Sequence, residues 1–292
     1  MNDTVTSYID NVINNRDHQP IAVVKVGGDV LQGELERSGI AANVKDLIEA
    51  HWRVVILHGG GPQVNELQEK HNLVPNKVAG RRITSKADLL VVKQAICGEV
   101  NVSLAQELQH AGINAFACNG ASGKLITAVK RPPRVISGAG DKPIDFGEVG
   151  DVVAVNRDLL NNLTELGLVP VIATLGVEEH SGRVFNINAD TTVVQIAKTL
   201  KADLLLLTTA VGAIYRDLSK PETRLAQINV EQAKALISEG VIQGGMIPKV
   251  EEAISVLNDG VKNIAIVGPQ INGAFLDVAT GKGDKGTNIR LL

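Results

Sequence analysis

The sequence predicts an α/β fold with helices on both faces of a largely parallel sheet. Three observations carry that prediction. From Pro20 onward, short aliphatic runs alternate with amphipathic stretches of helical period. The runs are nearly continuous in Val, Ile and Leu, as strands covered on both sides require. Aromatic residues are 2% of 292 while apolar residues are 44%, so the core is aliphatic; Trp52, Tyr8, Tyr215 and four Phe cannot fill one.

The elements follow in order. Val5, Tyr8, Ile9, Val12 and Ile13 fall on one helical face behind Asp3 and Thr4 as caps. Because this amphipathic helix precedes the first strand, its stripe buries either on its own domain or, as an oligomerisation arm over residues 1–20, on another subunit. Strands are expected at Ile21–Val26, Arg53–Leu57, Asn114–Cys118, Leu125–Val129, Asp151–Val155, Val169–Ala173, Ala202–Leu207 and Asn263–Val267. Helical patterns occupy Val44–Ala50, Asp88–Ala111, Asp158–Leu166, Thr191–Leu200, Val230–Ser238 and Val250–Leu257. Pro132, Pro133, Pro143 and three glycines make Lys130–Glu148 a long surface loop or hairpin excursion. Turn chemistry at Glu178–Gly182, followed by Val184–Phe185, reads as a small hairpin. A soft boundary near Phe185 separates 21–185 from 186–292, with both parts sharing one sheet.

Composition excludes several classes. High apolar content with a net charge of -3 excludes disorder. The 29 Lys and Arg are outnumbered by 32 Asp and Glu, which argues against a nucleic-acid partner. No run approaches the roughly 20 apolar residues of a membrane helix, and no signal peptide is visible. Cys97 and Cys118 lack metal-ligand spacing and read as reduced core thiols of a cytoplasmic protein.

The informative glycines follow strands. Lys25-Val26-Gly27-Gly28 ends the first, His58-Gly59-Gly60-Gly61-Pro62 ends the second, and Gly244-Gly245-Met246 precedes a helix carrying Lys249. At the carboxyl edge of a parallel sheet, glycine lets N–H groups approach an anion, and a helix N-terminus adds positive charge. This points to a phosphate site, although no G-x-G-x-x-G or G-x-S-x-G occurs. Lys25 closes an otherwise buried strand, where a charge needs a function or a path to solvent. Lys249 alone reads as a helix-surface lysine. Arg81 and Arg82 are either a carboxylate clamp or solvated charges. Asn186-Ile187-Asn188-Ala189-Asp190 is either an N-cap or a polar cluster where Asn186 meets substrate and Asp190 holds lysines. His58 reads as a structural hydrogen-bonding residue ahead of a general base.

Taken together, these motifs, with Gly80-Arg81-Arg82-Ile83-Thr84 and Gly244-Gly245-Met246-Ile247-Pro248-Lys249, resemble the amino acid kinase family, and within it the branch that phosphorylates N-acetylglutamate. The match runs from about residue 20 to Gly286-Thr287, in order. The resemblance implies a three-layer αβα sandwich whose N-terminal lobe (21–185) binds acetylglutamate and dimerises, and whose C-terminal lobe (186–292) binds ATP. It places Lys25 and Lys249 on the transferring phosphoryl group, with Asp190 orienting both. It places Gly60, Gly61, Arg82 and Asn186 on acetylglutamate, with Arg82 at the α-carboxylate. Gly27 and Gly28 would donate near the phosphates, with Thr209, Gly212, Gly244 and Gly245 toward the nucleotide. Magnesium would ride on the nucleotide phosphates, with no protein-built metal site. Leu207-Thr208-Thr209-Ala210-Val211-Gly212 carries Thr where the family usually has Asp, and Asn119–Lys124 departs from the usual GxDG pattern. Asn272 and Asp277 stand where arginine-inhibited members carry His and Glu. The implied assembly is a homodimer, extended to a hexamer by the N-terminal helix; arginine or PII-type regulation is unsupported. Two other readings stay open: a kinase for a related acylated amino acid, such as carrier-linked aminoadipate or glutamate, and a catalytically weak amino-acid and nucleotide sensor.

Overall fold

The computed structural model describes residues 19–136, 140–244, 246–257 and 259–291, without the side chains of Pro248, Glu252 and Ala253. The expected helix around Val5–Ile13 lies outside the described residues, as does Gly245. In chain order the strands are β1 (Ile21–Val26), β2 (Arg53–His58), β3 (Lys77–Val78), β4 (Arg81–Arg82), β5 (Ala115–Asn119), β6 (Ile126–Lys130) and β7 (Gly150–Val155). They continue as β8 (Val169–Ala173), β9 (Leu175–Val177), β10 (Val184–Asn186), β11 (Leu204–Thr208), β12 (Gln227–Asn229), β13 (Asn263–Val267) and β14 (Thr287–Arg290).

An eight-stranded sheet has the order β12-β14-β13-β11-β1-β2-β8-β5. From β13 through β5 every neighbour is parallel. β14 runs antiparallel to β13 and carries β12 parallel beside it. Successive residues of the central strands enter opposite cores. Val23, Val55, Leu57, Leu205 and Leu207 pack under the helices Arg157–Glu165, Ala189–Leu200, Val230–Ser238 and Met246–Leu257. Ala22, Val24, Val54, Ile56, Leu204 and Leu206 pack under Glu34–Glu49, Asn101–His110 and Ala274–Thr280. Each buried Val, Leu or Ile gains ~1.5–3 kcal/mol by leaving water. Two-sided burial thus explains the aliphatic strand interiors, with polar residues confined to strand ends.

A second, four-stranded sheet, β10-β9-β6-β7, sits over the carboxyl edge of the first. The Lys130–Glu148 segment leaves β6 and returns into antiparallel β7, with Arg134 and Ile144 bridged, so it is a hairpin excursion. The Val184–Phe185 run is the β10 arm of a hairpin with β9.

Some boundaries differ from the sequence pattern for physical reasons. The helix expected at Val44–Ala50 begins at Glu34, because its charged first turn hides the period. Gly39 lies inside it, where a Cβ would sit 2.4 Å from the Pro269 carbonyl. The polar helix Gly61–Lys70 and the short strands β12 and β14 carry too little apolar pattern to read. Asp88–Ala111 contains a π-helical stretch, Lys93–Val100, between the helices Lys86–Val92 and Asn101–His110. No helix among the described residues is long and apolar enough to cross a membrane.

Candidate active site

Strand order runs away from β1 in both directions, through β2 on one side and β11 on the other. The carboxyl ends of β1 and β11 therefore flank a topological switch point, where open α/β sheets bind ligands. Lys25 lies on the same face of β1 as Ile21 and Val23, facing the Ala189–Leu200 helix. It is 4% exposed, and its Nζ lies 2.9 Å from Asp190 Oδ1 in that helix's first turn. The approach is an ion pair too oblique for a hydrogen bond. Asn188 starts the helix as its N-cap, its side chain accepting from the Thr191 N–H at 2.9 Å.

Two glycine loops meet beside this pair. A Cβ on Gly28 would lie 2.8 Å from Pro62 Cδ and 2.9 Å from Gly60 Cα and Gly61 N, so only glycine permits the approach. Gln63 from the next helix donates to the Gly28 carbonyl at 2.9 Å. The N–H groups of Gly27, Gly28, Gly60 and Gly61 find no backbone acceptor among the described residues. Unpaired donors converging at a helix N-terminus form an anion cradle.

His58 is fully buried beneath the second loop. Asn101 Nδ2 donates to its Nε2 at 2.7 Å and to the Val171 carbonyl at 2.9 Å. That assigns the ring proton to Nδ1, which donates to the Gly59 carbonyl at 2.8 Å. Burial lowers the His58 pKa to about 4, so the ring is neutral and structural. Ile96 and Val100 of the π-helical stretch lie against Gly60, 3.1 and 3.4 Å from where its Cβ would be.

A cavity of about 180 Å³ opens from the glycines Gly59, Gly60 and Gly61. Val64, Val92, Ile96, Val149 and Ile187 give it apolar walls; Arg81, Arg82, Arg131, Thr174, Asn186 and Asn188 give it polar ones. Arg81 and Arg82 arrive on the β3–β4 hairpin, whose loop residues Ala79 and Gly80 have φ of 45° and 76°; Arg131 comes from the end of β6. Arg82 donates to the Gly61 carbonyl at 3.2 Å, to Asn65 and to fully buried Gln68. Gln68 in turn donates to Asp88, which closes a capping box with Ser85. Burial lowers the Arg82 pKa, with Asp88 opposing. Burial pushes Asp88 upward, and the bonds from Ser85 and Gln68 with the Arg82 charge outweigh it, holding Asp88 below the usual carboxylate range. Asn186 Nδ2 donates to Thr84 at 3.2 Å.

On the β11 side, Thr208 donates to the Lys25 carbonyl at 3.0 Å. Thr209 Oγ1 accepts from the Gly212 N–H at 3.0 Å and so holds the turn after β11. Gly212, at φ 81°, packs on Gly268. Gly244 is exposed at φ 54°, with open space where a Cβ would be. Lys249 is half-buried in the first turn of the Met246–Leu257 helix, which packs on the helix bearing Asp190. Among the described residues Asp190 is paired with Lys25, and no ion pair joins it to Lys249.

Residues 20–268 match the model of the amino acid kinase family. The chain belongs to the amino acid kinase family. It is 40% identical over 265 residues to the acetylglutamate kinase of Anaeromyxobacter dehalogenans, covering 91% of this chain and 97% of that one. Identity to the acetylglutamate kinase of Methanocaldococcus jannaschii is 36% over 257 residues, 88% of this chain and 85% of the other. Among solved structures, smu.665 of Streptococcus mutans superposes with a TM-score of 0.73 at 28% identity, covering 94% of this chain and all of that one. Giardia carbamate kinase, at 16% identity and a TM-score of 0.66 over 93% of this chain and 98% of its own, shares the fold.

Several residues of this amino acid kinase were missed in the sequence. Arg131 stood beside a Pro-Pro pair and read as loop, yet it is buried at the cavity wall. Asn101 was detectable as a lone polar residue on a buried helical position, and Gln68, in the polar helix Gly61–Lys70, was not. Thr174 carried no signal beyond ending a strand. Cys97 and Cys118 are both free, and burial raises their thiols to about 11 and about 12.

Proposed function

We propose that this amino acid kinase transfers the γ-phosphoryl group of ATP to the γ-carboxylate of N-acetyl-L-glutamate, the phosphorylation step of arginine biosynthesis. One observation carries the reading: a small cavity lined by Arg81, Arg82 and Arg131 opens from the Gly59–Gly61 loop, which meets the Gly27–Gly28 loop beside the Lys25–Asp190 pair. The names of relatives at 36–40% identity support the same substrate.

A γ-carboxylate with a pKa near ~4.3 is already ionised at neutral pH, so the reaction needs no general base. One carboxylate oxygen bonds to the γ-phosphorus while the bond to the β–γ bridging oxygen breaks, its electron pair leaving on ADP. The barrier is the approach of two anions, and the chain's task is positive charge in fixed positions. Lys25 supplies it at the end of β1, held by Asp190. Gly27, Gly28, Gly60 and Gly61 supply N–H donors. Arg82 and Asn186 hold the acetylated amino acid, and the nucleotide lies along Thr209–Ile214 and Val241–Lys249, bringing Lys249 to the phosphates. Asp190 is taken by Lys25 and Asp29 stands alone beside Gly27, with no cluster of three or more His, Cys, Asp or Glu among the described residues, so this donor set fits a magnesium ion carried by the nucleotide phosphates, where it would neutralise phosphate charge. We place the reaction in the cytoplasm, in a homodimer that residues 1–20, acting as an arm, extend to a hexamer. Light scattering on the full chain and on one beginning at Pro20 tests that assembly.

The deciding experiment traps acyl phosphate with hydroxylamine, using MgATP with acetylglutamate, glutamate or acetylaminoadipate. Hydroxamate is expected from acetylglutamate, and Lys25→Ala lowers turnover by ~10²–10³-fold with little change in acetylglutamate KM. Absence of hydroxamate with all three acceptors overturns the reading.

A further inference from the structure

We propose that Arg131 is a second recognition residue for the acceptor: its guanidinium shares the α-carboxylate with Arg82, and Asp151 is the positioning residue that aims it. The inference rests on reading the cavity as the acetylglutamate pocket.

Arg131 leaves β6 at the root of the hairpin excursion and is 9% exposed. Its Nε and Nη2 each lie 2.8 Å from Asp151 Oδ1, and its guanidinium carbon is 5.7 Å from the Phe146 ring centroid. Asp151 also pairs with Arg134. One carboxylate therefore serves two guanidinium groups, and one of those is buried. The group carries one positive charge more than negative, which an anion beside Arg131 would balance.

Position decides which anion. Arg131, Arg81 and Asn188 line both the 180 Å³ cavity and an adjoining one of about 300 Å³. The adjoining cavity touches no residue of the glycine loops, so Arg131 marks the end of the pocket away from Gly59, Gly60 and Gly61. With the γ-carboxylate at the glycine loops, the α-carboxylate is the charged group of acetylglutamate that points toward that end.

Donor supply agrees. Arg82 already donates to Gly61, Asn65 and Gln68, which leaves few of its five N–H groups for substrate. Arg131 spends Nε and Nη2 on Asp151, and its Nη1 has no partner among the described residues. The Asp151 bond and the Phe146 ring fix the plane of the fork, the geometry that bidentate carboxylate recognition requires.

The test crosses residue with substrate: wild type, Arg131→Gln and Arg131→Lys, each assayed with acetylglutamate and with its α-amide, N-acetylisoglutamine. For Arg131→Gln, acetylglutamate KM is expected to rise about 10- to 100-fold, the value of a lost charged hydrogen bond. Its kcat stays within about threefold, and parameters for the α-amide barely move. Arg131→Lys keeps the charge but loses the fork, so it raises KM for acetylglutamate selectively; it serves as the test if the Gln variant does not fold. Equal effects on both substrates would show a purely structural Arg131 and overturn the proposal, as would no effect on either. Failure of the wild type to phosphorylate acetylglutamate would instead strike the functional reading.

Discussion

On the β2 side of the switch point, Arg82 is held by Gly61, Asn65 and Gln68, Arg131 by Asp151, and His58 by Asn101. Beyond β11 the Thr209–Gly212 turn is held by buried bonds, but the groups at Gly244 and Lys249 are looser. Gly244 is exposed with open space around it, and Lys249 has no ion pair with Asp190. The contrast follows from what each side must do. A small acceptor must be aligned against one phosphorus atom, and misplacement by about 1 Å can cost ~10²-fold, so its side is fixed beforehand by buried bonds. A large polyanion brings many contacts of its own, and its side can be left open to admit it.

The strongest way to break that comparison uses one glycine from each side. In Gly28→Ala the new methyl would lie 2.8–2.9 Å from Pro62, Gly60 and Gly61, so the two loops must separate. Turnover is expected to fall by ~10²-fold or more, in steady-state assays at saturating substrates. Gly244→Ala meets nothing within 4 Å and bears only the strain of φ 54°, about 1 kcal/mol. Its turnover should change by less than about fivefold. A Gly244 effect as large as that of Gly28 would mean that the two sides are equally constrained.

His58 sharpens the comparison through stability. Its ordinary value of 6.5 is lowered to about 4 by burial. Between those pH values the unfolded chain binds a proton that the native ring refuses, so stability rises with pH across the window and is complete above it. Acidification from pH 7 to 4 should remove ~3 kcal/mol through this residue alone. Denaturant midpoints of wild type and His58→Asn at both pH values check it: the variant starts less stable and loses less. Equal losses would place the acid sensitivity elsewhere.

Legibility in the sequence follows the same physics. Strands buried on both faces announce themselves as Val, Ile and Leu runs, which is why β1, β8 and β13 coincide with their expected limits. Lys25, Arg82, Asn186 and Asp190 were visible because each is a polar residue at a strand or helix end with a glycine or a cap nearby. Arg131 and Gln68 were not, because their importance comes from which distant residues they meet: Asp151 and Phe146 for one, Arg82 and Asp88 for the other. Pairings across the fold leave no period in the chain. Boundaries failed where charge masked amphipathicity, as at Glu34–Arg37, and where a π-helical stretch broke the 3.6-residue repeat before Asn101.

The smallest expected effect concerns Thr209, at the position where the family resemblance implies Asp. Its Oγ1 accepts from the Gly212 N–H at 3.0 Å, and its own N–H donates to the Val267 carbonyl at 2.9 Å. An aspartate could accept that same Gly212 hydrogen bond, so holding the turn does not by itself require a carboxylate. Thr209→Ala leaves a buried N–H unpaired, at a cost of about 1–2 kcal/mol, and should raise the KM for ATP by a few fold as the turn loosens. Thr209→Asp keeps an acceptor and should leave that KM within about twofold. If Thr209→Asp instead raises turnover tenfold, the carboxylate has a role in catalysis that the turn does not explain, and the open side of the site is more specialised than its geometry indicates.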